Sequence, residues 1–558
     1  MIAPVATFTG IRPPQPKNTP KFGSQISNDT RLAALKEKYP VLNTMLDLIE
    51  VPSATPQTDL KFAPAVELEM NTMRARVEKH LLAAGVQQDW ISHDPAGSLV
   101  VRIPASEGYE NKKPLMLTAH MDIVAGDETD PTRTVKPQLD RDWITSDGTT
   151  TLGADDKGGL AMILDNVARV LGKHPLQQTP IPHAGLELIF SPDEESTLES
   201  LKNLDTSQLK AKHVLVVDEF DAFKVTTGLA SAVPIKINVS GFPGGAASGQ
   251  QAKLSVSGFP GGHSGDDIDK GRPNALFALF NAIGKLGGDV LSIKGGRAPN
   301  AIPESAQATV SLPEGTSASN AQAVMTHAQS YYAGHGAPNA QFSVELENQA
   351  AAASTQKAST ANPVQALINA LRKIGTGVIA MQPDNSMPVI SKNTAIIKAG
   401  QGSDDVPRNA EVEIFLRSGN AAMQRAELAR IQKLLANAQR YYRGHGVPNA
   451  KFEMQWHEEY PAWEGDPNTP LKGWAVKASE VMKESEPGTP KVEIGAVHAA
   501  AQASILANKT NADGEQFDAV LIGPQIEEAH TVRERTNWQT LLKANQWLGE
   551  IIRQYTNS

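Results

Sequence analysis

Residues 114–122 read PLMLTAHMD. The run Pro114–Ala119 has the length and composition of one buried strand. Such a strand delivers His120 to its carboxyl end, where open α/β sheets place ligands. Asp122 lies two residues further on, so in an extended chain it points the same way. It could then orient the His120 imidazole, as carboxylates behind metal-bound histidines do. Alone, a His-x-Asp pair fits a surface turn at least as well.

The surrounding sequence extends this reading. Ser98–Ile103 (SLVVRI), Gly185–Phe190 (GLELIF) and His213–Val217 (HVLVV) are further short apolar strands. Arg31–Glu50, Ala63–Ala84 and Asp156–Gly172 carry helical spacing; in the last, Leu160, Met162, Ile163, Val167 and Val170 form the apolar stripe. Strands alternating with helices predict an α/β domain on a mostly parallel sheet. From Thr226 to about Tyr460 the chain turns rich in Gly, Ala and Asn. The α/β rhythm then returns, with helices over 471–483, 499–507 and 538–555 and strands over 491–494 and 519–522. The expected organisation is a catalytic domain of residues 29–225 and 461–558, interrupted by an α+β insertion, 226–460. Residues 1–28, with five prolines, read as a flexible tail.

The insertion contains a duplication. Ala328–Phe342 (AQSYYAGHGAPNAQF) and Ala438–Phe452 (AQRYYRGHGVPNAKF) agree at eleven of fifteen positions. Pro303–Gly315 parallels Pro407–Gly419 in the same way. Internal similarity of this length predicts repeated structural units, here 226–347 and 363–460, joined by Asn348–Asn362. A shorter echo, VSGFPGG, begins at Val239 and again at Val256.

The chain has 558 residues, a net charge of −9 and no cysteine. Thiolate metal sites, disulfides and cysteine nucleophiles are excluded, so any metal is held by His, Asp and Glu. The acidic balance argues against nucleic acid as the main partner. No apolar run approaches a membrane span, and the first residues do not read as a secretory signal. A cytoplasmic protein without membrane or nucleic-acid partners is expected.

Further chemistry-bearing clusters follow the other strands. Gly153–Gly159 reads GADDKGG before a helix. An N-cap accounts for one aspartate, but not for small residues on both sides, which suit close approach to a ligand. Asp193-Glu194-Glu195 follows GLELIF; a solvated loop explains it, as does one carboxylate on a cation with its neighbour left as a base. Asp218 ends HVLVV, and His530 follows the strand that runs to Ile522. Two histidines and three carboxylates suffice for two metal ions if one carboxylate bridges.

His335 and His445 recur in both repeats and read as structural. His80, His93, His174, His183, His213, His327 and His457 lack supporting context. His263, in GGHSG, has no counterpart in the echo, and Arg417 stands where the first repeat has Pro313. Divided labour between the halves and ordinary drift both leave that trace.

The stretch SDGTTTLGADDKGGL (146–160), with FSPDEES (190–196), resembles peptidase T, a tripeptide aminopeptidase. GGHSG (261–265), NAIPE (300–304), LRSG (416–419), YPAW (460–463) and IGPQIEEAHT (522–531) resemble aminoacyl-histidine dipeptidase. Both belong to one superfamily of dinuclear-zinc exopeptidases, and the resemblance runs from about residue 35 to the end. It implies that His120 and Asp218 bind one zinc, Glu195 and His530 the other, and that Asp155 bridges them. It implies further that Asp122 supports His120, that Glu194 is the general base and that His263 stabilises the oxyanion. Arg417 would hold the substrate's terminal carboxylate, and Asn300 would also contact substrate. Where the dipeptidase has HAGLECG, this chain has His498 to Ser504, with Gln502 in place of the glutamate.

The expected function is therefore metal-dependent hydrolysis of short peptides, with two divalent ions per chain, zinc first and cobalt or manganese next. The other readings are an amidohydrolase of N-acyl amino acids and, from a different class, an inactive binding protein on the same scaffold. The expected assembly is a monomer or a homodimer.

Overall fold

The computed structural model describes residues 28–55, 63–124, 130, 132–246, 249–265, 267–347, 362–383, 387–400, 405–457, 460–498 and 501–558. The expected tail and the connector between the repeats lie, but for residues 28 and 362, outside these.

The fold is mixed α/β. The centre of the first sheet holds four parallel strands, in the order Leu186–Ser191, Leu115–His120, His213–Val217 and Asp518–Ile522. Their residues alternate between two cores. Leu115, Leu117 and Ala119 pack with the helices Pro40–Ile49, Ala154–Val170 and Trp538–Asn557, whereas Met116 faces Val214, Val216, Leu506 and Phe517. Burial on both faces explains why these strands read as nearly continuous apolar runs, broken in Leu186–Ser191 by Glu187, which accepts from Lys210 N and Ala211 N.

The expectation of a mostly parallel sheet needs correction, because the sheet is mixed. Ile91–His93 and Leu99–Ile103 join antiparallel at one edge. At the other, Lys224–Leu229 and Trp463–Glu464 pair antiparallel, with Glu493–Val497 parallel beside them. The turn over 94–98 closes with Gly97 N donating to Asp94 O. It is far too short for the crossover of about a dozen residues that a parallel pair needs.

The second sheet runs in the order Gln341–Leu346, Gln251–Ser257, Ala306–Ser311, Asp289–Gly295, Pro388–Ala399, Ala410–Ser418, Ser231–Ser240, Lys451–Trp456. Gln251–Ser257 pairs with Ala306–Ser311 and Gln341–Leu346. Among the described residues, Ser231–Ser240 pairs with strands near the far end of the insertion, Ala410–Ser418 and Lys451–Trp456. One half, beginning at Gln251, is thus nested inside the other after that half's first strand. This corrects the expected division into 226–347 and 363–460, since Ser231–Ser240 belongs with the later half.

The short echo marks this nesting. Val256 lies opposite Phe342 as Val239 lies opposite Phe452. Gly258 and Gly241 both take positive φ, +73° and +77°. A Cβ there would stand 2.2 Å from Asn339 O and 1.9 Å from Asn449 O, so the turns pass too close to the PNA segments for any side chain. The halves meet where Ile293, Lys294 and Gly295 lie opposite Ala399, Lys398 and Ile397. Lys294 pairs with its own repeat counterpart, and Ile293 and Gly295 each pair with the other's counterpart, as about a local two-fold axis between Lys294 and Lys398. The later half also has the longer strand, Ala410–Ser418 against Ala306–Ser311. Its extra residues carry Arg417.

Candidate metal centre

Each central strand ends next to a group that can hold a cation. His120 is the last residue of its strand. Glu194 and Glu195 follow Ser191, Asp218 follows Val217, and His530 lies in the loop after Asp518–Ile522. Because the strands are parallel, these groups gather at one edge of the sheet. Asp155 joins them from the segment opening helix Ala154–Val170. Gly159 lets that helix approach the sheet, for a Cβ there would lie 1.8 Å from Val217 O.

Asp155 stands between the histidines. Its Oδ1 lies 3.1 Å from His120 Nε2 and its Oδ2 lies 3.0 Å from His530 Nε2. Asp218 Oδ1 is 3.6 Å from His120 Nε2, and Glu195 Oε1 is 3.0 Å from His530 Nε2. This Glu195 oxygen is buried and has no hydrogen-bond partner despite that proximity. The ligand atoms of Asp155, Glu195 and His530 lie within 4.8 Å of one another, as do those of His120, Asp156 and Asp218 and those of His120, Glu194 and Glu195. Buried carboxylates facing imidazole nitrogens form a donor set suited to borderline divalent ions, so these residues fit a pair of cations.

The geometry also nominates Asp156, but its carboxylate is committed to the backbone. Oδ2 accepts from His120 N (3.2 Å) and Oδ1 from Gly159 N (3.1 Å). Asp122 is fully buried, and its two oxygens accept from Glu194 N and Glu195 N, each at 2.9 Å. The His120 ring meets Asp122 chiefly through the backbone, with Nδ1 3.0 Å from the carbonyl oxygen and 3.4 Å from Oδ1. Asp122 therefore fixes the Glu194–Glu195 turn as well as the ring.

Crowding of acids shapes the electrostatics. Burial opposes protonation of His120 and His530, but the carboxylates around them outweigh it and push both well above the usual histidine value. Burial raises Glu194 well above the carboxylate range and Glu195 to about 7, while Asp155 is lowered by its two histidine neighbours despite burial. Divalent cations would relieve the repulsion among these acids.

Four further residues, of which only Glu534 lies outside the quoted motifs, support the cluster. Gln502, fully buried, donates from Nε2 to Asp218 Oδ2 (3.4 Å), and its Oε1 accepts from Thr118 and Ser191. Its carboxamide can donate where an ionised glutamate could only repel. Tyr460 donates its hydroxyl to Glu194 O (3.1 Å). Glu534 accepts from Gly153 N and Asp155 N. Lys157, fully buried, donates to Val51 O (2.8 Å), and burial lowers its pKa to about 7. Only the position of Glu534, four residues after His530, could have drawn attention to it.

His263, Arg417 and Asn300 gather on the second sheet. Arg417 Nη2 donates to His263 Nε2 (3.1 Å) and Arg417 Nε to Ser264 Oγ (3.4 Å). Ser264 N donates to Asn300 O, and Asp267 Oδ2 accepts from His263 N. Ser391, opposite Arg417 in the sheet, bonds His498 Nε2 through its hydroxyl (2.7 Å). His498 thus touches this cluster, and Gln502, four positions later in sequence, touches Asp218.

The profile of Peptidase family M20/M25/M40 matches residues 116–554. Among curated proteins, the chain is 26% identical over 235 residues to the cytosol non-specific dipeptidase of Escherichia coli, covering 40% of this chain and 46% of that protein. It is 30% identical over 197 residues to peptidase T of Aliivibrio salmonicida, covering 32% and 46%. The chain spans about half the length of these curated relatives. The solved structure of aminoacylhistidine dipeptidase from Vibrio alginolyticus superposes with a TM-score of 0.61 at 21% identity, over 92% of this chain and 96% of that one. That likeness is one of fold.

Proposed function

Because the chain belongs to peptidase family M20/M25/M40, we propose that it is a metal-dependent exopeptidase that hydrolyses short peptides. The observation that carries this reading is Asp155, with one carboxylate oxygen toward His120 and the other toward His530. That is the geometry of a carboxylate shared by two cations. His120 and Asp218 would hold one ion, Glu195 and His530 the other, with zinc the first candidate and cobalt or manganese substitutes. When bound, the pair supplies Lewis acidity to the scissile carbonyl and acidifies the attacking water.

The chain's own groups do the rest. Glu194 sits on a turn fixed by Asp122 and Tyr460. It takes the water's proton and delivers it to the leaving nitrogen. His263 stabilises the developing oxyanion. Arg417 binds the free carboxylate of the peptide, a task matched to a planar fork of donors, and Asn300 lines the same side. The two nested halves act as one lid over the sheet edge.

A panel of di- and tripeptides beside N-acetylated amino acids tests this proposal. Hydrolysis of peptides with free termini, lost on chelation and restored by a divalent metal, is the expected result. Preferential cleavage of N-acetyl amino acids would replace the peptidase reading with an amidohydrolase. Cleavage of neither would leave a binding protein.

A further inference from the structure

The loop carrying His530 also carries a residue that acts on Asp155. It is closed by a hairpin in which Ile526 and Glu527 pair with Thr536 and Arg535. Within it His530 adopts φ +63°, a left-handed conformation that few non-glycine residues take. Glu534, at the far end, turns inward and is 2% exposed. Its Oε2 accepts from Gly153 N (3.1 Å) and its Oε1 from Asp155 N (3.2 Å). One hairpin thus supplies His530 directly and grips the backbone that presents Asp155.

The grip suits a carboxylate. Ionised, it has acceptors on both oxygens, whereas a carboxamide would turn an N–H₂ group against one of the two N–H donors. Lys157, buried on the first turn of the same helix, donates to Val51 O (2.8 Å) and ties that turn to the end of helix Pro40–Ile49.

We propose that Glu534 is a positioning residue of the cation centre: by holding the N–H groups of Gly153 and Asp155, it aims the two oxygens of Asp155 at His120 and His530. The proposal rests on reading the cluster as a cation centre. It makes a distinctive demand, because Asp155 faces both histidines and loosening it weakens both cation sites together.

The test uses full-length protein stripped of metal and titrated with Co²⁺, followed by calorimetry and by the visible spectrum of the bound ion. Wild type should take up two equivalents. Glu534→Gln, folded by circular dichroism, should bind both equivalents roughly 10–100-fold more weakly, with an altered spectrum. Glu534→Asp keeps the charge but withdraws the oxygens, and should fall between the two. A folded Glu534→Gln protein that binds both ions like wild type, or loses only one step, would overturn the proposal alone. If neither variant folds, Glu534 is a folding residue and the proposal is equally overturned. Wild type that binds no Co²⁺ would overturn the cation reading itself, and this inference with it.

Discussion

Glu194 and Glu195 are neighbours in sequence with separate surroundings. Asp122 holds both of their amides, but only Glu195 lies against His530. Glu194→Gln should therefore cut turnover by roughly 10²–10⁴-fold, the usual worth of a general base, with metal content unchanged by elemental analysis. Glu195→Gln should lose metal. If both variants lose metal equally, the division of labour between them is wrong. Arg417 should be read through the substrate. Converting a dipeptide's terminal carboxylate to an amide should sharply lower kcat/KM, as should Arg417→Lys, which lacks the planar fork; equal rates on capped and free dipeptides would refute that role. At this scale His120, Asp155, Glu195, Asp218 and His530 were legible because each follows an apolar run or opens a helix. Glu534 was not: in the stretch Arg533 to Arg535 it looks like one more solvated charge, and only the fold turns it inward.

At the scale of elements, the central strands were legible because they are buried on both faces and stay largely apolar. The antiparallel direction of the edge strands was not, since short turns decide it: Ser98–Ile103 reads as a strand, but nothing within it fixes its direction. The nesting of the second sheet was hidden in another way. Ser231–Ser240 finds its partners in strands near residues 410 and 451, a pairing that local periodicity cannot express. The VSGFPGG echo was its one trace in the sequence. The later half is tied together by Glu427, which takes Lys392 Nζ at 2.6 Å and two Arg430 bonds at 2.7 Å. Burial would raise the Glu427 pKa, but the Arg430 and Lys392 hydrogen bonds outweigh it and lower it from the usual carboxylate value. A lowered folded-state pKa contributes stability above the unfolded value, and that stability is lost as pH falls through the folded one. Glu427→Gln, which leaves the buried Lys392 uncompensated, should cost about 3 kcal/mol at neutral pH. In urea melts the gap to wild type should close as the pH drops below the ordinary glutamate range. A gap that persists undiminished in acid would mean the charge of Glu427 is not what matters.

At the scale of the whole molecule, the paired halves place His263 and Arg417 side by side although they come from different repeats. The earlier half supplies the histidine, and the extended strand of the later half supplies the arginine. A single chain then holds every group the proposed reaction needs. Mixing inactive His263→Ala with inactive Glu194→Gln, under conditions that exchange subunits, should recover no activity; recovery above either variant alone would show that His263 acts across a subunit boundary. Asp155 is the residue that two cations would share. Metal stoichiometry of the active protein and of Asp155→Asn, by elemental analysis after equilibration with excess zinc and desalting, tests it most directly. Two ions per wild-type chain, with weakened retention at both sites in the variant, is the predicted result. One ion per fully active chain would contradict it.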